Sequence, residues 1–235
     1  MNASWLSTLS FVGIGFVFGL KHALDADHLA AVSTIVSERR SLWHSSLVGA
    51  LWGVGHTTAL LFAGLAVIVL RVEISPAVAR GLETGVAIML IVLGLNALRR
   101  LAAGGRLEMH VHTHGDRTHV HPHIHDAASP PASPHPVGFA MRPLLIGLVH
   151  GAAGSAALML LVLTTIPSTL GRIGYIAAFG VGSIGAMVIM SALLGLPARL
   201  TAGRFRRAYL AVQVLAACFS LGLGCAMAYQ LHAAV

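Results

Sequence analysis

The chain is 235 residues long, 56% apolar and only 10% charged, with a formal net charge of +7 and a mean hydropathy of +0.81. Soluble domains carry about 25% charged residues, so this composition, with its repeated apolar runs, excludes an ordinary soluble core and points to an all-α polytopic membrane protein. The positive charge does not make nucleic acid a partner, because the arginines lie between the apolar runs, where they set loop topology.

Six transmembrane helices are expected. The first runs from about Trp5 to Val36, long enough that it must tilt, break or protrude from roughly 30 Å of hydrocarbon. No Lys or Arg precedes Lys21, so the N-terminus lacks the basic region of a secretory signal and is expected to belong to this span. The second runs from about Ser45 to Leu70 and the third from about Ala77 to Leu98. The fourth covers about Pro143 to Ile166, the fifth Ile173 to Leu196 and the sixth Ala208 to Leu231. Two three-helix halves, residues 1–101 and 142–235, thus flank a polar segment at 102–141.

Loop arginines set the orientation. Arg39, Arg40, Arg99, Arg100, Arg106, Arg117, Arg142, Arg199, Arg204, Arg206 and Arg207 fall on one side, and Arg71, Arg80 and Arg172 on the other. The richer side is expected to be cytoplasmic, with both termini outward.

The halves echo each other. Gly19-Leu20-Lys21-His22-Ala23 matches Gly147-Leu148-Val149-His150-Gly151 at a shift of 128 residues. Leu93-Gly94-Leu95-Asn96 matches Leu221-Gly222-Leu223-Gly224 at the same shift, and Trp52-Gly53-Val54-Gly55 matches Phe179-Gly180-Val181-Gly182 at 127. A three-span repeat reverses its orientation, so the halves are expected to be inverted copies with a site near the midplane where they meet.

Ionisable chemistry is concentrated in the first span. Lys21, His22, Asp25, Asp27 and His28 fall within eight residues, with apolar sequence on both sides. Such groups cost a few kcal/mol each at the bilayer centre and mark function by default. On a continuous helix His22, Asp25 and His28 lie within an arc of roughly 120° and can converge, while Asp27 points elsewhere, to orient a histidine or meet another helix. Two imidazoles and a carboxylate suit a divalent transition ion such as Ni, Co, Zn or Fe(II), rather than Mg, Ca or Cu(I). A buried salt-bridged cluster is the structural alternative, but two His and two Asp exceed what Lys21 alone balances.

Other intramembrane polar residues offer support. His56, in GVGHTTALL, is either a further ligand or a histidine hydrogen-bonded to a neighbouring helix. Asn96, near the cytoplasmic end of the third span, is a ligand or a helix-contact residue. His150 is the counterpart of His22, but Ser155 stands at the acidic position, so His150 is expected to serve the pathway without forming a second full site.

The polar segment carries eight of the fourteen histidines: His110, His112, His114, His119, His121, His123, His125 and His135. Its Pro/Ala/Ser run and polarity predict a flexible cytoplasmic loop, and the His-x-His units predict secondary metal binding by His110 through His125. Cys218 and Cys225, seven apart in one apolar run, stand about 10 Å apart along a helix and are not expected to bridge.

These motifs carry a resemblance that covers essentially the whole chain. HALDADHL resembles the HxxxxDH signature of the nickel/cobalt transporter family, WGVGHTTAL its second motif and LGLNALRR its Asn-bearing third segment. The full-length pattern most resembles the six-span, UreH-like branch related to urease accessory membrane proteins, where GLxHGxAGSAAL opens the second half. The resemblance implies uptake of Ni2+ or Co2+ across a bacterial cytoplasmic (inner) membrane, with the ion as transported substrate and no tightly bound cofactor. By motif, His22, Asp25, Asp27 and His28 would bind and select the ion, supported by His56 and Asn96. Urease or hydrogenase metal-delivery proteins would be partners, beside the metal and the bilayer. The chain departs from eight-span members in lacking a span before the motif helix and an acidic FDTATE-type stretch.

Two other readings stay open. An efflux permease of the same branch would use a cytoplasmic histidine-rich collector equally well. An intramembrane metalloenzyme could use Asp27 as a general base, although HExxH spacing is absent and the inverted repeat favours transport.

Overall fold

The computed structural model describes residues 3–37, 41–70, 75–103, 106–114, 117–125, 136–152, 162–163, 165–201 and 205–233. Its elements in chain order are helices α1 (Ala3–His22), α2 (Ala26–Val36), α3 (Leu42–Leu70) and α4 (Pro76–Ala102), strands β1 (Arg106–His114) and β2 (Arg117–His125), and helices α5 (Pro136–Gly151), α6 (Thr169–Thr201) and α7 (Arg206–Ala233). Segments Leu42–Ala66, Pro76–Ala102, Thr169–Thr201 and Arg206–Ala233 are long and apolar enough to cross a membrane, and α1 with α2 forms a fifth candidate bent by 56°. Large apolar side chains such as Phe62, Val181 and Leu215 are exposed on the outer helix faces, as suits a chain whose surroundings are hydrocarbon. The fourth expected span contains α5, which starts earlier than expected and has Pro143 inside it. Residues 153–161 and 164 of that span lie outside the described ones.

The first expected span is two helices rather than one. α1 ends with Lys21 and His22 in its last turn, where the Lys21 cation complements the negative end of the helix dipole. Asp25 then takes extended backbone (φ −61, ψ 145) and opens α2 without capping it. Its carboxylate turns back to His22 Nδ1 instead, at 2.9 Å. A residue well suited to capping thus ties the two half-helices together, and the break fixes where the ionisable groups sit. α4, by contrast, starts conventionally, with Ser75 Oγ accepting from the Val78 N–H and Pro76 in the first turn.

The helices cross at glycines. A Cβ on Gly15 would lie 2.6 Å from the Tyr175 carbonyl, and one on Gly19 would strike Phe179 O, while across the same α1–α6 crossing Gly182 abuts Phe16 and Leu20. In the α3–α5 crossing Gly55 abuts Leu144 and Leu148, Gly147 abuts Trp52, and Gly151 abuts His56. Gly94 and Gly224 do the same between α4 and α7, at 2.7 Å from Ala217 O and 2.8 Å from Ala87 O. Small residues permit this approach, which provides the packing that hydrophobicity cannot supply in lipid. The contacting residue numbers rise together in α1–α6 and α3–α5, so those pairs are parallel. They run oppositely in α4–α7 and in α3–α6, where Gly53 meets Ile184 and Gly64 meets Ile176, so those are antiparallel.

Hydroxyls add cross-links. Thr34 Oγ1 donates to Ala216 O at 3.1 Å, and Ser220 Oγ donates to Leu90 O at 2.9 Å, fastening α7 to α2 and α4. Bonds of this kind contribute about 0.6 kcal/mol each in membranes. Between α4 and α5, the part of the histidine-rich segment expected to be a flexible loop is paired backbone: β1 and β2 are antiparallel, with His110 opposite His121 and His112 opposite His119. The physical reason is its strict alternation, with Val111, Thr113, Thr118, Val120 and Ile124 among the intervening residues, which is a strand period.

Candidate metal centre

Four separate segments each bring one histidine to a common point. The C-terminal end of α1 brings His22, the first turn of α2 brings His28, the middle of α3 brings His56, and the C-terminal end of α5 brings His150. All four are buried. His22, His28 and His56 form a near-equilateral group, with ring centroids 4.7, 4.9 and 4.9 Å apart. His150 joins from the other half of the chain, 4.2 Å from the His28 ring and 6.1 Å from His56.

The two aspartates orient these rings. Asp25 accepts from His22 Nδ1 at 2.9 Å. Asp27 accepts from His28 Nδ1 at 3.1 Å through Oδ1 and from His150 Nε2 at 2.9 Å through Oδ2. A carboxylate fixes the proton on the nitrogen it faces, leaving the other ring nitrogen with a free lone pair. On His22 that nitrogen is Nε2, 2.9 Å from His56 Nε2. On His28 and His150 it is Nε2 and Nδ1, and both are buried with no hydrogen-bond partner among the described residues, as is His56 Nδ1. Buried polar atoms left unpaired are costly and call for an explanation. A cation accepting those lone pairs is one.

Two groups of three have ligand atoms all within 4.8 Å of one another: His22, His28 and His56, and Asp27, His28 and His150. Imidazole nitrogens with at most one carboxylate suit a borderline transition ion. His28 belongs to both groups and stacks on Trp52, with ring planes 8° apart.

The structure thus brings together His22, Asp27, His28, His56 and His150. Asp25 stays beside them as an orienting group, its side chain 44% exposed, not as the third point of the helical arc expected from a continuous helix. The reason is the break before Ala26, which turns α2 away from the axis of α1. Asn96 stands apart: it is exposed on α4, its backbone carbonyl accepting from Arg100 Nε. The side chains of His110, His112, His114, His119, His121, His123 and His125 lie outside the described ones, as does His135 entirely. Two aromatic walls escaped sequence reasoning, Trp52 against His28 and His150, and Phe179 against His22 at 5.5 Å. Their signal was present, since Trp52 and Phe179 open the matching WGVG and FGVG tetrapeptides.

Asp25→Ala is expected to weaken metal binding about tenfold to a hundredfold while leaving the ligands in place, the usual cost of losing an orienting partner. Titration of the purified protein with Co2+, followed by absorption, measures this, and an unchanged affinity would remove Asp25 from the site.

Comparison with known proteins gives three relatives. Over 198 residues the chain is 38% identical to the urease accessory protein UreH of Bacillus sp. (strain TB-90), covering 84% of this chain and 82% of that protein. It is 30% and 28% identical to the Arabidopsis thaliana chloroplast proteins FOR GROWTH AND FERTILITY 1 and 2, over 83% and 77% of its length. The chain spans about half the length of these two, 51% and 46%. No protein-family profile matches it, and no solved structure does.

Proposed function

The chain belongs to the family of the urease accessory protein UreH, and from that premise we propose that it carries a divalent transition-metal ion, Ni2+ or Co2+, across a membrane. The observation that carries this reading is the convergence of four buried histidines and Asp27, from four segments, inside a bundle of apolar helices. Lone pairs held ready in a low-dielectric interior favour a cation that has shed part of its water.

An inverted-repeat transporter has its site where discontinuous helices from the two halves meet, with half-helix C-terminal ends turned toward the cation. Here α1 ends at His22 and α5 ends at Gly151, one residue past His150. The glycine crossings support the symmetry. Gly182 against Phe16 and Leu20 becomes Gly55 against Leu144 and Leu148 under the shifts seen in the sequence, and Gly19 against Phe179 becomes Gly147 against Trp52. The ring contacts follow: His22 lies 5.5 Å from Phe179 and His150 lies 5.6 Å from Trp52. The helix directions also suit six alternating spans, since α1 and α6 are parallel, α3 and α5 are parallel, and α3 and α6 are antiparallel.

In this reading the ion enters the cytoplasm of a bacterial cell through the inner membrane, where a metal-delivery protein of urease or hydrogenase would receive it. The termini face outward and the histidine-rich hairpin inward, where His110 through His125 would bind metal as a secondary, collecting site. Export is the second reading, since a cytoplasmic collector serves either direction. Hydrolysis is disfavoured, because Asp27, the candidate general base, is already engaged by two histidines.

The test is uptake of radioactive nickel and cobalt into proteoliposomes, comparing wild type, His22→Ala and a deletion of residues 106–125. Flux is expected in wild type, to be lost in His22→Ala and only retuned in the deletion. No flux in any form, under either sign of potential or pH gradient, would sink the proposal. Cysteine labelling tests the topology: a cysteine at position 41 should react from the cytoplasmic side, and one at position 75 from outside.

A further inference from the structure

The two ligand groups at the centre share one residue, and they differ in kind. The first, His22, His28 and His56, is built entirely by the first half of the chain and offers three imidazoles. The second, Asp27, His28 and His150, straddles the halves and offers a carboxylate with two imidazoles. Sequence reasoning expected no second full site, because the second half lacks acidic residues beside His150. The first half supplies the carboxylate instead: Asp27 reaches across to His150 Nε2 at 2.9 Å.

The two nitrogens of His28 have different surroundings. Its Nδ1 faces Asp27 at 3.1 Å. Its Nε2, on the far side of the ring, is buried and has no hydrogen-bond partner among the described residues. His22 and His56 lie beside the same ring, each with its centroid within 4.9 Å. Trp52 stacks on His28, with ring planes 8° apart, and holds the plane in which both nitrogens lie. His28 is therefore the side chain common to both groups, with one nitrogen turned to Asp27 and the other buried without a partner among the described residues.

We propose that the centre is two stations in series, a three-imidazole station of His22, His28 and His56 and a carboxylate station of Asp27, His28 and His150, with His28 handing the ion from one to the other. This rests on the transport reading and adds an order of events to it. At the first station the ion takes the lone pair of His28 Nε2, while Nδ1–H remains bonded to Asp27. At the second it would sit among Asp27, His28 and His150. The second station spans the two halves, so its ligands part or close as the halves move. The first station moves as one body with its own half. Two divalent ions held so close together would repel strongly in a low-dielectric interior, which makes the exchange a transfer rather than double occupancy.

The experiment uses the full-length protein in detergent and in proteoliposomes, with Co2+ as the probe. Wild type is expected to bind one Co2+. His150→Ala and its bulk-preserving companion His150→Gln are expected to keep Co2+ affinity within about threefold of wild type, with the absorption bands of an all-imidazole site. Flux in both should fall about tenfold or more. His56→Ala is expected to move the bound ion to the carboxylate station, with visibly different bands, and also to lose flux. Loss of Co2+ binding in His150→Gln as severe as in His28→Ala would overturn the proposal in favour of one undivided site. Wild-type flux in both His150 variants would overturn it by removing His150 from the path. If wild type binds Co2+ but carries none, the transport reading fails by itself. The spectra then still decide between two stations, which require distinct bands in His56→Ala and His150→Gln, and one site, which requires identical bands.

Discussion

His28→Ala is expected to abolish metal binding and transport together. No other residue lies in both groups of ligand atoms, so no arrangement of the remaining side chains replaces it. Loss of an orienting partner alone lowers metal affinity about tenfold to a hundredfold, and loss of a ligand common to every arrangement should exceed the upper figure. The variant also removes a ring that stacks on Trp52, which leaves a cavity and lowers stability. His28→Gln, which keeps most of the bulk, separates the two effects: it should restore the melting temperature but not the flux. Calorimetric titration with Co2+ beside uptake into vesicles gives both readouts. Uptake within twofold or threefold of wild type in either variant would show that the ion passes elsewhere.

Gly147→Val should be the most damaging change outside the ligands. A Cβ at this position runs into the Trp52 carbonyl and indole, and the same crossing is closed by Gly55 and Gly151. Overpacking in cores costs about 1–3 kcal/mol, occasionally more. The upper part of that range is expected here, because the obstruction includes backbone that cannot rotate away. Separating α3 from α5 also withdraws His56 and His150 from the centre, so stability and metal binding should fall together. Gly81→Ala is the control, with open space around the position and a helix propensity gain of up to about 1 kcal/mol. Thermal unfolding followed by tryptophan fluorescence compares the two. Equal melting temperatures would mean that the α3–α5 crossing is not what holds the centre together.

Helices α3, α4, α6 and α7 were legible from hydropathy, within a few residues at most ends, because membrane insertion depends on the local run of apolar side chains. His22, Asp27, His28 and His56 stood out for the same reason: an ionisable group in an apolar run is anomalous without knowledge of its neighbours. The glycine-rich tetrapeptides at Trp52 and Phe179 announced close helix contacts, though not which helix each would meet.

The roles within the cluster were another matter. A continuous first helix puts His22, Asp25 and His28 on one arc. The chain instead breaks at Asp25, which then holds His22 while Asp27 holds His28 and His150. His56 and His150 are separated from His28 by 28 and 122 residues in sequence. They arrive beside it only because Gly55, Gly147 and Gly151 let α3 and α5 cross closely. Asn96 shows the converse, since its motif placed it with the site while α4 packs on α7 and leaves it exposed. The sequence by itself determined which segments are apolar enough to enter a membrane and which residues are anomalously polar within them, since both follow from the transfer of single side chains into hydrocarbon. Only the tertiary structure decided which carboxylate orients which imidazole and which three ligands share a point, because those depend on helix breaks and crossing distances that a change of one ångström would undo.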